Sequence, residues 1–396
     1  MSSTHIPPRR ARALFAVLLA LGCGERTPRT ITEDGVPVVV QPARHGSAAT
    51  HVLEDRVVRD IGGLKERSED EFDHGNGFLT GLSRSDGGLA VIDQHRVRLF
   101  DSSGAPIAVV GRQGRGPGEF LGLTLLCRLA DDRIVVFDQA RRATVITVSG
   151  EIEQQTTMPE LAFVSEGCFD DGSLLVQTFT RNMSAEVSEM PAVHMRVDGS
   201  VIDTLGRFPM TGFRGVSQYM RLHVRGRHVY VSDPRKSEVR RYTADGTLDR
   251  MLRTEDSPRR MPEGEAQRWL GGPVAAAGSG ASRAERAPRA AEVTWPFYRD
   301  LHIDASGRVW IRDFPEDDEA PDRYAIYDST FAFVGRLDVA RGSRRVITNP
   351  PPGAPATAPG SAPELVDARG DEVVLLIRDA DGAAHFVTRR LRPRDD

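Results

Sequence analysis

The chain has 396 residues, with 52 lysines and arginines against 56 aspartates and glutamates, for a formal charge of −4. That mildly acidic balance argues against a nucleic-acid partner, which calls for a basic patch or stripe. Hydrophobic residues are 39% of the chain, ample for a large core, and after the N-terminus no apolar run reaches bilayer-spanning length.

Residues 1 to 22 read as an export signal. Arg9, Arg10 and Arg12 form its basic start, and Ala13 to Leu21 form an apolar run too short for a stable membrane anchor. Leu19-Ala20-Leu21-Gly22-Cys23-Gly24 then resembles a bacterial lipobox, with Ala20 where leucine is usual. The resemblance implies that Cys23 is the acylated first residue of the mature chain. The plainer alternative is an ordinary cleaved signal with an incidental cysteine. Removing residues 1 to 22 takes away three arginines and no acid, so the mature chain is more acidic still. A lipid would tether the protein without spanning the bilayer. The expected location is therefore the bacterial cell envelope. Residues 23 to 50 carry Pro28, Gly35, Pro37, Pro42 and Gly46 and read as a flexible tether.

From residue 51 to 396 the chain alternates hydrophobic runs with Asp-Gly or Gly turns, a pattern of repeated short strands. Six groups stand out. The first holds Leu89-Ala90-Val91-Ile92-Asp93 and Val97-Arg98-Leu99-Phe100, and the second runs from Leu125 to about Met158. The third runs from Cys168 to near Phe208, and the fourth starts at Leu222-His223-Val224. The fifth holds Leu301-His302-Ile303-Asp304 and Val309-Trp310-Ile311. The sixth holds Leu365-Val366-Asp367, Val373 to Ile377 and His385 to Thr388. The sixth runs out of chain one strand short. Arg56-Val57-Val58-Arg59-Asp60-Ile61-Gly62 matches the outer-strand sequence Ile107-Ala108-Val109-Val110-Gly111, so the N-terminal strand is expected to complete the last group and remove an open edge. Residues 254–296 and 347–363 are rich in Ala, Gly, Pro and polar residues and read as surface loop insertions.

Between the first and second groups lies Gly111-Arg112-Gln113-Gly114-Arg115-Gly116-Pro117-Gly118-Glu119-Phe120. The glycines allow positive φ or close contact, and Pro117 stiffens the crossing. A phosphate-binding loop would need a Gly-Lys-Ser/Thr ending or a following helix. The next segment reads as strand, so the crossing reads as structural, with Phe120 free to enter a core.

Gly116-Pro117-Gly118-Glu119-Phe120, the Asp131-Asp132 turn, Ile134 to Asp138 and Val145 to Gly150 together resemble one NHL-type propeller repeat. From Leu53 to Pro393 the pattern is similar to exported bacterial six-bladed β-propellers with NHL-like repeats. The fold implied is all-β, with six four-stranded antiparallel blades and the last blade closed by the N-terminal strand. Propellers host many activities, so the resemblance implies little about function.

Chemistry-bearing residues are sparse. Gly-x-Ser-x-Gly, His-Glu-x-x-His and Cys-x-x-Cys are all missing from the sequence. Cys127 and Cys168 fall on inner strands of consecutive groups and could pair in an oxidising compartment; two small buried thiols is the alternative. His223 and His302 each follow a leucine on an inner strand, which points them toward a central channel. Satisfied structural histidines are the bland reading, because acid–base or metal work needs further partners. The acidic clusters Glu69 to Gly77 and Glu316 to Glu319 lack calcium-loop spacing. Calcium lactonases of the propeller type use asparagine with carboxylates, and Asn76, Asn182 and Asn349 fall on no inner strand. The expectation is a non-catalytic, monomeric binding or scaffolding propeller with no cofactor and no catalytic residue, touching the membrane only through its lipid. Its partner would be a protein or a small-molecule ligand. The alternative is a metal-dependent hydrolase or lyase with its ion in the channel.

Overall fold

The computed structural model describes residues 27–44, 48–63, 72, 79–158, 163–178, 188–210, 221–233, 236–264, 294–314, 320–340, 345–346, 357–358, 363–379 and 383–394. Cys23 and both acidic clusters, apart from Phe72, lie outside them. The fold is all-β and propeller-like. Among the described residues no helix is long and apolar enough to cross a membrane.

The chain starts with β1 (Arg29–Glu33), β2 (Val36–Gln41) and the long β3 (His51–Gly62). A first antiparallel set follows, β4 (Leu79–Ser83), β5 (Leu89–Asp93), β6 (Arg96–Phe100) and β7 (Pro106–Val110). The second is β8 (Leu123–Arg128), β9 (Ile134–Asp138), β10 (Arg142–Ile146) and β11 (Ile152–Thr157). The third is β12 (Phe163–Cys168), β13 (Leu174–Thr178), β14 (Ser188–Met195) and β15 (Val201–Met210). The fourth is β16 (Arg221–Arg225), β17 (His228–Asp233), β18 (Glu238–Thr243) and β19 (Leu248–Thr254). The fifth is β20 (Asp300–Ile303), β21 (Val309–Arg312), β22 (Asp322–Tyr327) and β23 (Phe333–Val339). The two-residue strands β24 (Arg345–Val346) and β25 (Thr357–Ala358) pair with each other. A last set is β26 (Glu364–Arg369), β27 (Glu372–Arg378) and β28 (Ala384–Pro393).

The sheets depart from the expected six separate fours. The first three sets are four-stranded sheets, but the fourth grows to six strands and the fifth and sixth share one eight-stranded sheet. The six-stranded sheet arises because β2 pairs parallel with β19 and β1 then pairs with β2. The eight-stranded sheet arises through β3. It runs antiparallel along β28, with Phe386 opposite Ile61 and Pro393 opposite His51, and touches β23 through the single parallel pair Leu337–His51.

Residues 29–41 are therefore not a tether. Val38, Val39 and Val40 are buried, and their valine run adds a strand to a sheet edge. Arg44 beyond them is buried too. The loop reading of 254–296 also fails at its start. Thr254 belongs to β19, and Thr254 and Met261 are buried. Positions 265–293 and most of 347–363 lie outside the described residues.

The strands β4, β8, β12, β16, β20 and β26 contact one another in a closed cycle. Between every two neighbouring sets sits a separate apolar cluster, such as Ala90 and Ile92 against Leu123 and Val136. This explains why β5 and β9 are buried along their whole length: both faces of each sheet meet a neighbour. The outer strand β7 is exposed at most positions.

Polar links stitch the inner hairpins all the way round. Ser85 N donates to Asp132 Oδ1 at 3.0 Å, Ala130 N to Asp170 O at 3.4 Å and Asp170 N to Gly226 O at 3.0 Å. Arg225 Nε donates to Asp304 O at 3.1 Å, Ala305 N to Ala368 O at 3.0 Å and Ser83 N to Asp367 Oδ2 at 2.8 Å.

Candidate functional site

The glycine-rich crossing wraps a cation. Arg142, the first residue of β10, sends its guanidinium to Arg115 O at 3.0 Å, Gly116 O at 3.1 Å and Gly114 O at 3.4 Å, and also to Glu119 O. The same group pairs with the buried Asp138 at 2.6 Å. Glu119 Oε2 accepts from Gly116 N at 2.8 Å, and its other oxygen pairs with Arg112 at 2.9 Å. Pro117 and Gly118 turn the chain between these contacts, Gly118 with φ of +70°. Phe120 is fully buried between the first two sets. Gly111 has φ of +91°, and a Cβ there would run into the Phe120 ring. A phosphate cradle offers amide N–H groups; this loop turns carbonyls inward onto an arginine. The contacts of the crossing described here are with the protein itself.

A cavity of about 590 Å³ opens where β8, β12, β16 and β20 end. Arg128, Arg225, Arg241, His223, His228 and His302 line it, with Asp170 the acid in its wall. Leu125, Leu129, Val224, Tyr230 and Ile303 give it apolar surface. His223 and His302 both line this cavity.

Behind the wall stands Asp367, at 1% exposure. Its Oδ2 accepts from Ser83 N and its Oδ1 from Ala368 N, both at 2.8 Å. His302 Nε2 lies 3.4 Å from Oδ1, and Arg225 Nη2 lies 3.8 Å from the same oxygen. Burial alone would raise the Asp367 carboxyl; the His302 hydrogen bond, the Arg225 charge and the Ser83 amide hold it below the usual range. Arg128 is lowered as well, in its case toward the neutral form. Burial and then the charges of Arg225 and Arg369 lower its guanidinium, against Asp132. Arg128 reaches Asp132 at 3.4 Å, and Arg241 pairs with Asp249 at 2.6 Å.

Cys127 and Cys168 line the same cavity and are joined as a disulfide with a Cα–Cα distance of 5.8 Å. The bond ties β8 to β12. A serine–histidine contact lies elsewhere: Ser173 Oγ is 2.6 Å from His194 Nε2, with the Phe169 ring 4.3 Å from the imidazole. Both residues are buried, and Asp171 bonds the serine and not the histidine. This is a clasped turn and not a nucleophile with its base. Among the described residues no three His, Cys, Asp or Glu side chains converge as metal ligands would.

No protein-family profile and no curated protein sequence matches the chain. Solved structures are similar to it to different degrees. An exported-type protein of Bacteroides fragilis is similar with a TM-score of 0.51 at 11% identity, covering 90% of this chain and 100% of that one. A DUF4221 family member from Bacteroides vulgatus gives a TM-score of 0.47 at 8% identity, over 87% and 99% of the two chains. A gluconolactonase of Xanthomonas campestris gives 0.40 at 12% identity, over 87% and 99%. At such identities the likeness of the first shows the fold alone.

Sequence reasoning did not single out Arg128 and Arg225. Each is the last residue of an inner strand, the level at which the hairpins converge on the channel. A count of cations at that one position of each group would have found them.

Proposed function

We propose that this chain is a six-bladed propeller, exported and held in the bacterial cell envelope by lipid on Cys23, that binds a small ligand in its channel without transforming it. The closed cycle of inner strands and the separate core between every two sets support the blade count. On this count β3 is the outer strand of the sixth blade. The basic and apolar start of the chain supports export, as does a disulfide, which persists in oxidising compartments.

The observation that carries the binding reading is the cavity of about 590 Å³, within the range of small-molecule sites. Its histidines and arginines also hold hairpins together, as His302 does with Asp367. The second reading, a metal-dependent hydrolase or lyase, rests on that same His302–Asp367 pair at the cavity wall. A thermal-shift screen of small molecules separates the two, run with elemental analysis of the same preparation. Stabilisation by at least one compound is expected, since a ligand of the native state raises its melting temperature. A stoichiometric metal together with turnover of an ester or lactone would overturn the non-catalytic reading. Cys23→Ala should leave the exported protein soluble; retention of that variant in the membrane fraction would count against lipidation.

A further inference from the structure

The cavity's charge is arranged in two layers. Three guanidiniums, Arg128, Arg225 and Arg241, face it together with Asp170 alone among acids. The carboxylates that balance the arginines, Asp132, Asp249 and Asp367, are not in its wall. The arginines of these pairs thus line the space, and their carboxylate partners do not.

Arg225 shows what is missing. It lines the cavity with 23% of its side chain exposed, its Nε donates to Asp304 O, and its enclosed Nη2 makes no hydrogen bond within the described residues. The acid oxygen 3.8 Å away is already engaged by the Ala368 amide and His302. Arg128 adds a second positive charge to the same wall, and Arg369 stands near enough to repel it. Guanidiniums match planar and tetrahedral oxyanions better than any other ligand group. The volume is far larger than a bare inorganic ion, and the leucines, Val224 and Tyr230 supply apolar surface for a carbon skeleton.

We infer that the cavity binds a small organic oxyanion, its anionic group held between Arg128 and Arg225 and its apolar part against Leu125, Leu129 and Val224. This rests on the binding reading above and gives that reading a ligand class. The shared chemistry is an oxyanion, and a carboxylate or a phosphate could supply it.

The test uses the full mature chain and a panel of aromatic fragments of equal size: carboxylates, phosphates, primary amines and neutral amides. Binding is followed by ligand-observed NMR and titration calorimetry. The acids should bind and the amines should not, and the preferred acid tells carboxylate from phosphate. Arg225→Met and Arg128→Met should each weaken the best acid at least tenfold, while Arg225→Lys retains part of the affinity. Arg390→Met, at an exposed site, controls for general electrostatics and should change nothing. If Arg225→Met loses cooperative unfolding, Arg128→Met carries the test, since its partner Asp132 is nearer solvent. Binding by amines or amides alone would overturn the oxyanion inference and leave the binding reading standing. Acid binding unchanged in both methionine variants would also overturn it. No binding in any class would sink the binding reading and this inference together.

Discussion

Arg44 is the residue whose loss should cost this fold most visibly. It lies at 1% exposure in a stretch whose composition suggests a loose linker. Its Nε pairs with Asp256 at 2.7 Å, its Nη1 with Asp313 at 2.9 Å, and its Nη2 donates to Phe297 O at 2.7 Å. Both carboxylates are buried. Arg44→Met would keep the volume and remove the charge. Asp256 would retain the hydroxyls of Thr254 at 2.5 Å and Ser237 at 3.1 Å, but Asp313 Oδ1 makes no hydrogen bond and would lose its cation. Removing one partner of a buried ion pair costs about 3–5 kcal/mol, a large part of the roughly 5–15 kcal/mol of a whole domain. Urea denaturation should show that loss as a lower midpoint at unchanged slope. Adding Asp313→Asn should recover part of it, because the uncompensated charge goes. The pH dependence has a definite sign. Burial alone would raise Asp256, but the Arg44 charge and the Thr254 and Arg44 hydrogen bonds lower it from 3.8 to about 2. A lowered folded-state pKa contributes stability that is complete above about pH 4 and fades as pH falls toward 2, worth roughly 2–3 kcal/mol. Arg44→Met should flatten that acid limb. A loss under about 1 kcal/mol, with the acid limb intact, would refute the claim that this segment is part of the core.

His385 and Arg142 give two further predictions. His385 on β28 sits between Asp60 of β3, at 2.9 Å, and Asp379, at 3.3 Å. Burial alone would lower its imidazole, but the two carboxylates outweigh burial and raise it above 6.5. A raised folded-state pKa means stability present below about pH 6.5 and lost as pH climbs through the folded value. Asp60→Asn should lower the titration midpoint seen by NMR and weaken that dependence; an unmoved midpoint would show that the pair does not bridge β3 and β28 in solution. Arg142→Met would strip the crossing's carbonyls of their donor and leave Asp138 buried without a cation. A loss of about 3–5 kcal/mol is expected, with new tryptic cleavage after Arg112 or Arg115 as the loop opens locally. Resistance to trypsin equal to that of the parent would show that the arginine does not hold the loop.

What could be seen in the sequence, and what could not, divides by the range of the interaction. Runs such as Leu89 to Asp93 declare a strand because their hydrophobicity and their Asp stop are local. The crossing declares itself structural because its glycines and Phe120 are neighbours. Its purpose does not, because Arg142 arrives more than twenty residues later. The N-terminal segment shows the same limit more sharply. Val38 to Val40 form a β-branched run that signals a strand, but Pro37, Pro42 and Gly35 surround it and favour a linker. Its partner strand lies at Met251 to Thr254, and Arg44 meets Asp256, 212 positions away. No window of sequence holds both halves.

The cavity follows the same logic one step further. His223 and His302 attract notice because histidine is the residue type expected of acid–base and metal chemistry. Arginine at a strand end reads instead as a solvated charge, which is the usual fate of that residue. What makes Arg128 and Arg225 different is position in the ring and not identity. Each ends an inner strand, and ring closure turns those ends toward one space while Asp367 and Asp132 stay outside its wall. A solvated arginine needs no acceptor from the protein. Arg225 lines the cavity with 23% of its side chain exposed. The inner strands contact one another in a closed cycle, and that cycle brings Arg128 and Arg225 to one cavity although they lie far apart in the chain.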